Sequence, residues 1–220
     1  MSFTTSEENY IKSIYHLQQE TGLVNTNSLA AEMQTRPASV TDMLKKLKSK
    51  KLLQYEKYKG FKLNDAGRKT ALDVIRKHRL WEFFLVEHLK FDWDKVHPIA
   101  EELEHISSEE LVQRLDNFLG NPSFDPHGDP IPDRHGKIPV IKQQSISAIP
   151  VKKSVTVSSV SNQTAQMLEM LKHYKISLGT QLQILRKFEF DGSLEIKVLK
   201  QSPCIISEQV AKNVFVHYVQ

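Results

Sequence analysis

The sequence predicts a mainly α-helical protein with a winged helix-turn-helix at the N-terminus, an all-helical middle domain and a small SH3-like β-barrel at the C-terminus. Three observations support this fold class. The first third shows three segments with helical spacing of apolar residues, followed by two short alternating strands. Three further helical segments occupy the middle, and alternation returns beyond Val151. We expect domain boundaries at residues 1–64, 65–139 and 140–220.

The first domain has the element order of a winged helix-turn-helix. Ser6 is expected to cap the first helix and Gly22 to end it, while Pro37 opens the third helix where its missing N–H is harmless. The predicted elements are helices at Glu7–Thr21, Ser28–Met33 and Pro37–Lys50 and strands at Leu52–Glu56 and Phe61–Leu63. In such a fold the third helix enters the major groove of DNA and the hairpin lies against phosphates.

Charge separates along the chain. Residues 36–79 carry 14 Lys or Arg against 4 Asp or Glu, whereas residues 80–135 carry 4 against 13. The basic block indicates a surface for a polyanion, and the acidic, histidine-bearing block indicates one for cations. An ordinary solvated helix that keeps the protein soluble is the alternative interpretation of the basic block.

The candidate DNA contacts lie on the third helix and the hairpin. Ser39, Thr41 and Asp42 begin the presumed recognition helix and are the candidates for base edges, while the lysines would neutralise phosphates. The full candidate set is Arg36, Pro37, Ser39, Thr41, Asp42, Lys45, Lys46, Lys57 and Lys59.

The middle domain is predicted to contain helices at Ala66–Leu89, Val96–Ile106 and Ser108–Leu119. The first of them carries a bulky apolar run of Trp81, Phe84, Leu85 and Leu89. Burial at a subunit interface or in an ordinary core would each explain this run.

Imidazoles and carboxylates recur at helical spacing in this domain. His78 and Glu82 are four residues apart, and the Val96–Ile106 helix should place four more donors on one face: His97, Glu101, Glu104 and His105. Divalent metals bind such mixtures of nitrogen and oxygen donors. A solvated helix face is the alternative, because Glu and His are common on exposed helices.

Cysteine usage and hydropathy favour a cytoplasmic protein that does not enter a membrane. Cys204 is the only cysteine, so no disulfide forms within the chain. Apolar runs stay well short of the ~18–20 residues that span a bilayer, and the N-terminus does not resemble a secretory signal.

Several segments together resemble the diphtheria toxin repressor family of iron- and manganese-dependent transcriptional repressors. The matching segments are ENYIKSIYHL, RPASVTDMLKKLKSKKLLQYEKYKGFKLNDAGRKTA, IRKHRLWEFFLVEHL, KVHPIAEELEHISSEELVQRLDNFLGNP and DPHGDPIP. The resemblance implies a helical dimerisation domain, two metal sites and operator binding that divalent metal switches on. It also implies a homodimer on double-stranded DNA, with no organic substrate and no enzymatic activity.

Residue by residue, the resemblance implies two ligand sets. An ancillary site would use His78, Glu82 and His97, and a primary site would use Asn9, Glu101, Glu104 and His105. Iron-sensing relatives have Met and Cys where this chain has Asn9 and Glu101, and manganese-sensing relatives have Asp and Glu. Lys12 stands where the short manganese sensors place a second carboxylate, so we expect two separated sites. The oxygen-rich primary set favours Mn²⁺, with Fe²⁺ as the alternative.

The C-terminal segment is expected to form a barrel of five strands, with a short helix near Thr164–Tyr174 and a hairpin at Asp191-Gly192. Longer members of the family carry such a domain, which can lend ligands to the ancillary metal; Gln163 and Gln166 are candidates. Two other function classes stay open at this point. They are a helical di-metal enzyme and a winged-helix regulator that answers an organic ligand.

Overall fold

The computed structural model describes residues 3–56, 59–199 and 201–218. They cluster into two compact units. The first unit combines the chain up to His78 with residues 101–112 and 132–138, and the second combines residues 79–100, 113–131 and the chain from Pro139 onward.

The first unit contains the predicted winged helix-turn-helix. Its elements are α1 (Thr5–Thr21), α2 (Thr26–Glu32), α3 (Pro37–Ser49), β1 (Leu53–Glu56) and β2 (Gly60–Leu63). The N-cap of α1 is Thr4 rather than the predicted Ser6, because the Thr4 side chain and Glu7 form a reciprocal capping box. Gly22 ends α1 as predicted, with a positive φ of 76° that glycine adopts without strain.

Apolar side chains from all three helices and the hairpin form the core of the first unit. Ile11, Ile14, Leu29, Val40 and Leu47 are fully buried there. The strands pair antiparallel, with Leu53 opposite Leu63. Gly60 allows the hairpin to approach the α1–α2 connection, since a Cβ on this residue would lie 2.4 Å from the Val24 carbonyl oxygen.

Three more helices follow, and each ends earlier than predicted, α5 by the largest margin. They are α4 (Asp65–Glu87), α5 (His97–Leu103) and α6 (Glu109–Phe118). Because α5 ends at Leu103, Glu104 and His105 lie in the turn that follows it. The prediction that both share one helix face with His97 and Glu101 is therefore wrong, although both residues remain beside Glu101 in sequence.

The second unit contains one antiparallel sheet with six strands among its described residues, one more than predicted. They are β3 (Gln144–Ser145), β4 (Ser154–Val160), β5 (Gln181–Lys187), β6 (Leu194–Val198), β7 (Cys204–Ile206) and β8 (Val214–Tyr218), in the spatial order β3-β8-β4-β5-β6-β7. Helices α7 (Ala165–His173) and α8 (Glu208–Asn213) pack onto it around Leu168, Leu171 and Ala211. Across the described part of the chain, every helix is too short or too polar to cross a membrane.

Candidate metal centres and nucleic-acid interface

A cluster of charged side chains connects α1 with the turn after α5 inside the first unit. We call it the regulatory cluster; its members are Glu8, Lys12, His78, Glu101, Glu104 and His105. Glu8 and Lys12 lie one turn apart on α1 and so face the same side. The Lys12 Nζ atom is 2.5 Å from Glu104 Oε1 and 3.6 Å from Glu101 Oε1.

Glu104 is the buried centre of this cluster, with no exposed side-chain surface. Its second oxygen, Oε2, lies 2.6 Å from Nδ1 of His78. Burial by itself would raise the pKa of the Glu104 carboxyl, but the hydrogen bond with His78 and the charge of Lys12 together hold it below its usual value. The cluster therefore keeps a carboxylate ionised in a position that excludes water.

His105 is held by a carboxylate from α1. Its Nδ1 atom lies 2.5 Å from Glu8 Oε2, and its Nε2 atom lies 3.6 Å from Glu104 Oε1. Lys77 approaches Glu8 at 3.8 Å. Sequence reasoning missed Glu8, although its four-residue spacing from Lys12 was a usable signal. Asn9 is half-buried at the next position, and its role as a ligand remains a prediction.

The donors of the regulatory cluster have the chemistry that Mn²⁺ or Fe²⁺ requires, namely carboxylate oxygens and an imidazole nitrogen. The ammonium of Lys12 stands between Glu101 and Glu104, where a cation would bind. An ion bound there would contact Glu101, Glu104 and His105 only after this ammonium withdrew.

A second group of donors lies within the second unit, around Glu82, which is only 1% exposed. Its Oε1 atom is 3.2 Å from Nδ1 of His97, and its Oε2 atom is 3.6 Å from Nδ1 of His127. One ligand atom each from Glu82, Asp125 and His127 lies within 4.8 Å of the others. Asp125 and His127 were not predicted as site residues, although they belong to the DPHGDPIP segment.

The remaining predicted ligands are His78, Glu82, His97, Gln163 and Gln166. His78 belongs to the first unit, whereas Glu82 and His97 belong to the second, so the ancillary set of these three remains a prediction. Gln163 donates a hydrogen bond to Asp129 at 3.1 Å, and Gln166 is exposed.

The candidate DNA contacts form an exposed face. Helix α3 buries Val40, Leu44 and Leu47 and presents its opposite face outward. The exposed candidates are Arg36, Pro37, Ser39, Thr41, Asp42, Lys45, Lys46 and Lys59. Lys57 lies outside the described residues. Asp42 pairs with Lys45 at 3.0 Å, and their contacts with bases or phosphates remain predictions.

An aromatic patch lies on and beside α4 and α6 within the second unit. Its members are Trp81, Phe84, His88 and Phe118. Phe118 is 64% exposed and packs at 4.8 Å against the ring of His88 and at 6.3 Å against Phe84, which in turn contacts Trp81. Leu85 of the predicted apolar run is buried, while Leu89 is 53% exposed. The run therefore serves both as core and as exposed apolar surface.

Three family models match consecutive parts of the chain. A model of the N-terminal DNA-binding domain of iron-dependent repressors matches residues 2–61, and a model of their metal-binding and dimerisation domain matches residues 64–133. A FeoA domain model matches residues 144–218.

Two individual relatives are similar to this chain over more than half of its length. The HTH-type transcriptional regulator MntR of Bacillus subtilis (strain 168) is 34% identical over 116 residues, which cover 53% of this chain and 81% of the relative. The iron-dependent repressor IdeR of Mycobacterium tuberculosis (strain ATCC 25618 / H37Rv) is 33% identical over 125 residues, or 57% of this chain. That alignment spans about half of the mycobacterial relative, 54% of its length.

Solved structures are similar along nearly the whole chain. A manganese-dependent transcriptional repressor in complex with manganese has a TM-score of 0.85 and 32% identity, covering 97% of this chain and 100% of that one. The repressor ScaR with bound Cd²⁺ has a TM-score of 0.80 and 31% identity, covering 97% and 99%. These likenesses confirm the predicted fold class.

Proposed function

Because the chain belongs to the diphtheria toxin repressor family of iron- and manganese-dependent repressors, we propose that it is a metal-dependent transcriptional repressor. In this proposal it binds operator DNA as a homodimer when Mn²⁺, or Fe²⁺ as the alternative, occupies its metal sites, and so controls metal-ion homeostasis. These two relatives are named as a repressor and as a transcriptional regulator rather than as enzymes, which argues against a helical di-metal enzyme. The boundaries at residues 64 and 139 are part of the same proposal.

The observation that carries this proposal is the position of the regulatory cluster. Glu8 and Lys12 project from the first helix of the winged helix-turn-helix, and Glu104 and His105 come from the turn after α5. A cation shared by these groups joins the helix that packs under the recognition helix to a segment distant in sequence. Ion binding therefore acts directly on the DNA-binding fold.

The free energy required for such a switch is modest. Coupling of about 1–3 kcal/mol between metal and DNA sites changes operator affinity by roughly 5- to 150-fold. Such coupling requires only that the ion bind more tightly to the operator-binding arrangement of the first unit than to its other arrangements, because an effector shifts an equilibrium by its difference in affinity for the two states.

The exposed aromatic patch supports the dimer in this proposal. Two recognition helices reach major grooves on one side of DNA when they are about 34 Å apart, and a symmetric pair of subunits sets that distance. The acidic character of residues 80–135 keeps this part of the chain away from phosphates, while the basic segment 36–79 faces them.

One titration tests the proposal against both alternatives. A duplex is selected from a random pool with Mn²⁺ present, and its affinity is then measured with and without Mn²⁺ in chelator-treated buffer. We expect binding at least about fivefold tighter with metal. Equal binding in both conditions would favour a regulator that answers an organic ligand, and failure to select any duplex would favour the di-metal enzyme.

A further inference from the structure

We propose that Lys48 and Tyr55 together form a binding site for a backbone phosphate of DNA, at the place where the end of α3 meets strand β1. Neither residue belongs to the DNA contacts that the sequence predicts. The inference deepens the proposed function and rests on it for the identity of the partner. Both residues lie in the first unit, and no metal ligand enters the reasoning.

Lys48 extends an exposed edge of α3. Thr41, Lys45 and Lys48 follow one another at steps of four and three residues, so they lie along one side of the helix. All three side chains are exposed. Because Lys48 stands in the last turn of α3, it continues this row of candidate DNA contacts toward the end of the helix.

The reversal of the chain after α3 brings Tyr55 beside Lys48. Lys51 adopts a positive φ of 57° in this reversal, and β1 follows directly. Tyr55 lies opposite Phe61 in the hairpin, with the two ring centroids 5.9 Å apart. Phe61 is buried, whereas Tyr55 is 46% exposed. The Tyr55 ring therefore reaches from the edge of the core to the surface.

The ammonium group of Lys48 is held over this ring. Its Nζ atom lies 5.1 Å from the centroid of the Tyr55 ring, which is within the range of a cation–π interaction. The ring attracts the positive charge and leaves N–H donors of the ammonium available for an anion. A lysine that is held in this way loses less side-chain entropy on binding a phosphate than a freely rotating one.

Lys48 also differs from its neighbours in its ion pairs. Several lysines of the first unit are paired with carboxylates: Lys45 with Asp42 at 3.0 Å, Lys50 with Glu7 at 2.7 Å and Lys62 with Glu56 at 3.1 Å. Among the residues that the structure describes, no carboxylate forms an ion pair with Lys48. An anion that approaches this end of α3 therefore meets a positive charge that no acidic side chain offsets.

Lys50 provides an internal comparison, because it too lies over an aromatic ring. Its Nζ atom is 5.0 Å from the centroid of the Phe3 ring. The same ammonium also binds the buried carboxylate of Glu7. Lys50 thus connects parts of the first unit to each other, whereas Lys48 keeps its charge for a partner outside the chain.

The hydroxyl group of Tyr55 supplies a second donor. It has no hydrogen-bond partner within the described part of the chain. Partial burial raises the pKa of this hydroxyl above its ordinary value, so the group keeps its proton at neutral pH and can donate it. Lysine and tyrosine side chains are among the groups that bind phosphate oxygens of DNA. An ammonium and a phenol at one edge of the recognition helix therefore suit a backbone phosphate.

The test measures how affinity for DNA depends on salt, using the full chain. Two duplexes are compared: the selected operator with Mn²⁺ present, and a duplex of random sequence at low salt without Mn²⁺. Lys48→Gln removes the charge, and Lys48→Arg retains it. The matched control is Lys142→Gln, which removes one charge from an exposed residue of the second unit.

Lys48→Gln should reduce the salt dependence on both duplexes. It removes one phosphate contact per subunit and so two per dimer, and the magnitude of the slope of log affinity against log salt should decrease by about 1.8, at roughly 0.9 per contact. Lys48→Arg and Lys142→Gln should leave the slope almost unchanged. An unchanged slope for Lys48→Gln on both duplexes would overturn the phosphate site.

Tyr55→Phe should have a different effect, because the hydroxyl carries no charge. We expect affinity for both duplexes to fall at least about fivefold, since a hydrogen bond to a charged acceptor is lost, while the salt slope stays unchanged. The melting temperature should not change, because the hydroxyl has no partner in the described chain. A variant with full DNA affinity would show that Tyr55 serves only the edge of the core.

The two duplexes separate this inference from the proposed function. If the unsubstituted protein bound the operator equally with and without Mn²⁺, while Lys48→Gln still reduced the slope, the proposed function would fail and the phosphate site would stand. If the operator response to Mn²⁺ were intact and the slope of Lys48→Gln unchanged, only the phosphate site would fail. A chain that binds neither duplex at low salt would contradict both.

Nitration provides a check that needs no variant. Tyr55 and Tyr218 are 46% and 48% exposed, so tetranitromethane should reach both in the free protein. Mass spectrometry then measures nitration of each residue with and without the random duplex. Bound DNA should cause loss of nitration at Tyr55 and none at Tyr218, which lies in the second unit. Equal nitration of Tyr55 in the free and bound protein would reject the proposal.

Discussion

The ammonium nitrogen of Lys12 lies 2.5 Å from a carboxylate oxygen of Glu104, a residue with no exposed side-chain surface. This contact ties α1 to a residue 92 positions later in the chain. It supplies a positive charge of the kind that a buried carboxylate requires.

Replacing Lys12 should therefore have opposite effects on metal-free stability and metal affinity. Lys12→Gln leaves Glu104 without its ammonium, so the metal-free melting temperature should fall by several degrees. Removal of the competing charge should increase Mn²⁺ affinity roughly tenfold, about 1.4 kcal/mol. Differential scanning fluorimetry and calorimetry measure the two effects. Lys12→Arg retains the charge and should not tighten Mn²⁺ binding; a Gln variant with unchanged affinity would show that the ammonium does not compete.

Glu104 should couple metal binding to operator affinity. Glu104→Gln keeps the shape of the side chain but removes its charge, so Mn²⁺ should no longer increase operator affinity, while far-ultraviolet circular dichroism stays unchanged. The control is Glu102→Gln, an exposed carboxylate two residues earlier, which should retain the full response. An intact Mn²⁺ response in the Glu104 variant, measured by mobility-shift titration, would contradict the proposed site.

The exposed lysines of α3 and the hairpin should contribute affinity rather than sequence choice. Lys46→Ala with Lys59→Ala removes two phosphate contacts per subunit and so four per dimer, and the magnitude of the slope of log affinity against log salt should decrease by about 3.6 for every sequence tested, at roughly 0.9 per contact. Lys142→Ala with Lys153→Ala changes the net charge equally, on exposed residues of the second unit, and should leave the slope almost unchanged. A loss confined to the operator would mean that these lysines read sequence.

Phe118 should lie at the contact between subunits. Phe118→Asp places a charge within the aromatic patch, and we expect the dimer to weaken by at least about 2 kcal/mol, roughly thirtyfold. Sedimentation equilibrium measures the dissociation constant. Phe190 is fully exposed in the second unit and offers the matched change Phe190→Asp. Equal dimer affinity in both variants would place the interface elsewhere.

Acid should remove the contribution of Glu7 to the free energy of unfolding. Burial raises the pKa of its carboxyl, but the hydrogen bonds and charge of Lys50 and the Thr4 backbone outweigh burial and lower it below the ordinary value of 4.5. A lowered pKa stabilises the fold above the unfolded value, and this gain disappears as pH falls through the folded value. Glu7→Gln should cost about 1 kcal/mol at pH 7 and progressively less below pH ~4.5. Glu20→Gln, an exposed change on the same helix, should show no such trend in urea titrations.

Local sequence patterns predicted most of the fold, because the periodicity of apolar residues, the capping residues and the turn residues mark helices and hairpins. Pro37 and Gly22 marked helix ends that the structure confirms. The end of α5 was not predictable in this way, because the apolar spacing of Val96–Ile106 continues past Leu103 while the chain turns. The contact between Glu8 on the first helix and His105 was likewise not predicted, because only packing brings these two residues together; Asn9 stays a predicted ligand.

Asp125 and His127 were not predicted as site residues because only the tertiary fold brings them close to Glu82. Asp125 and His127 are ordinary turn residues when considered as sequence, and the equivalent pair Asp133 and His135 shows how such a turn looks in solvent. What distinguishes the first pair is the presence of Glu82, 43 positions before Asp125, and the stacking of Trp93 on the imidazole at 5.6 Å. A single sequence does not encode that proximity in any local pattern.

The position of Lys12 determines the set point of the proposed sensor. The Lys12 ammonium competes with the metal ion for the carboxylates of Glu101 and Glu104. Because it belongs to the same chain, its effective concentration changes neither with dilution nor with the expression level. We therefore expect the metal concentration at which half the molecules respond to depend on this α1 side chain as well as on the ligands. Exchanging residue 12 would retune the threshold and leave every ligand in place.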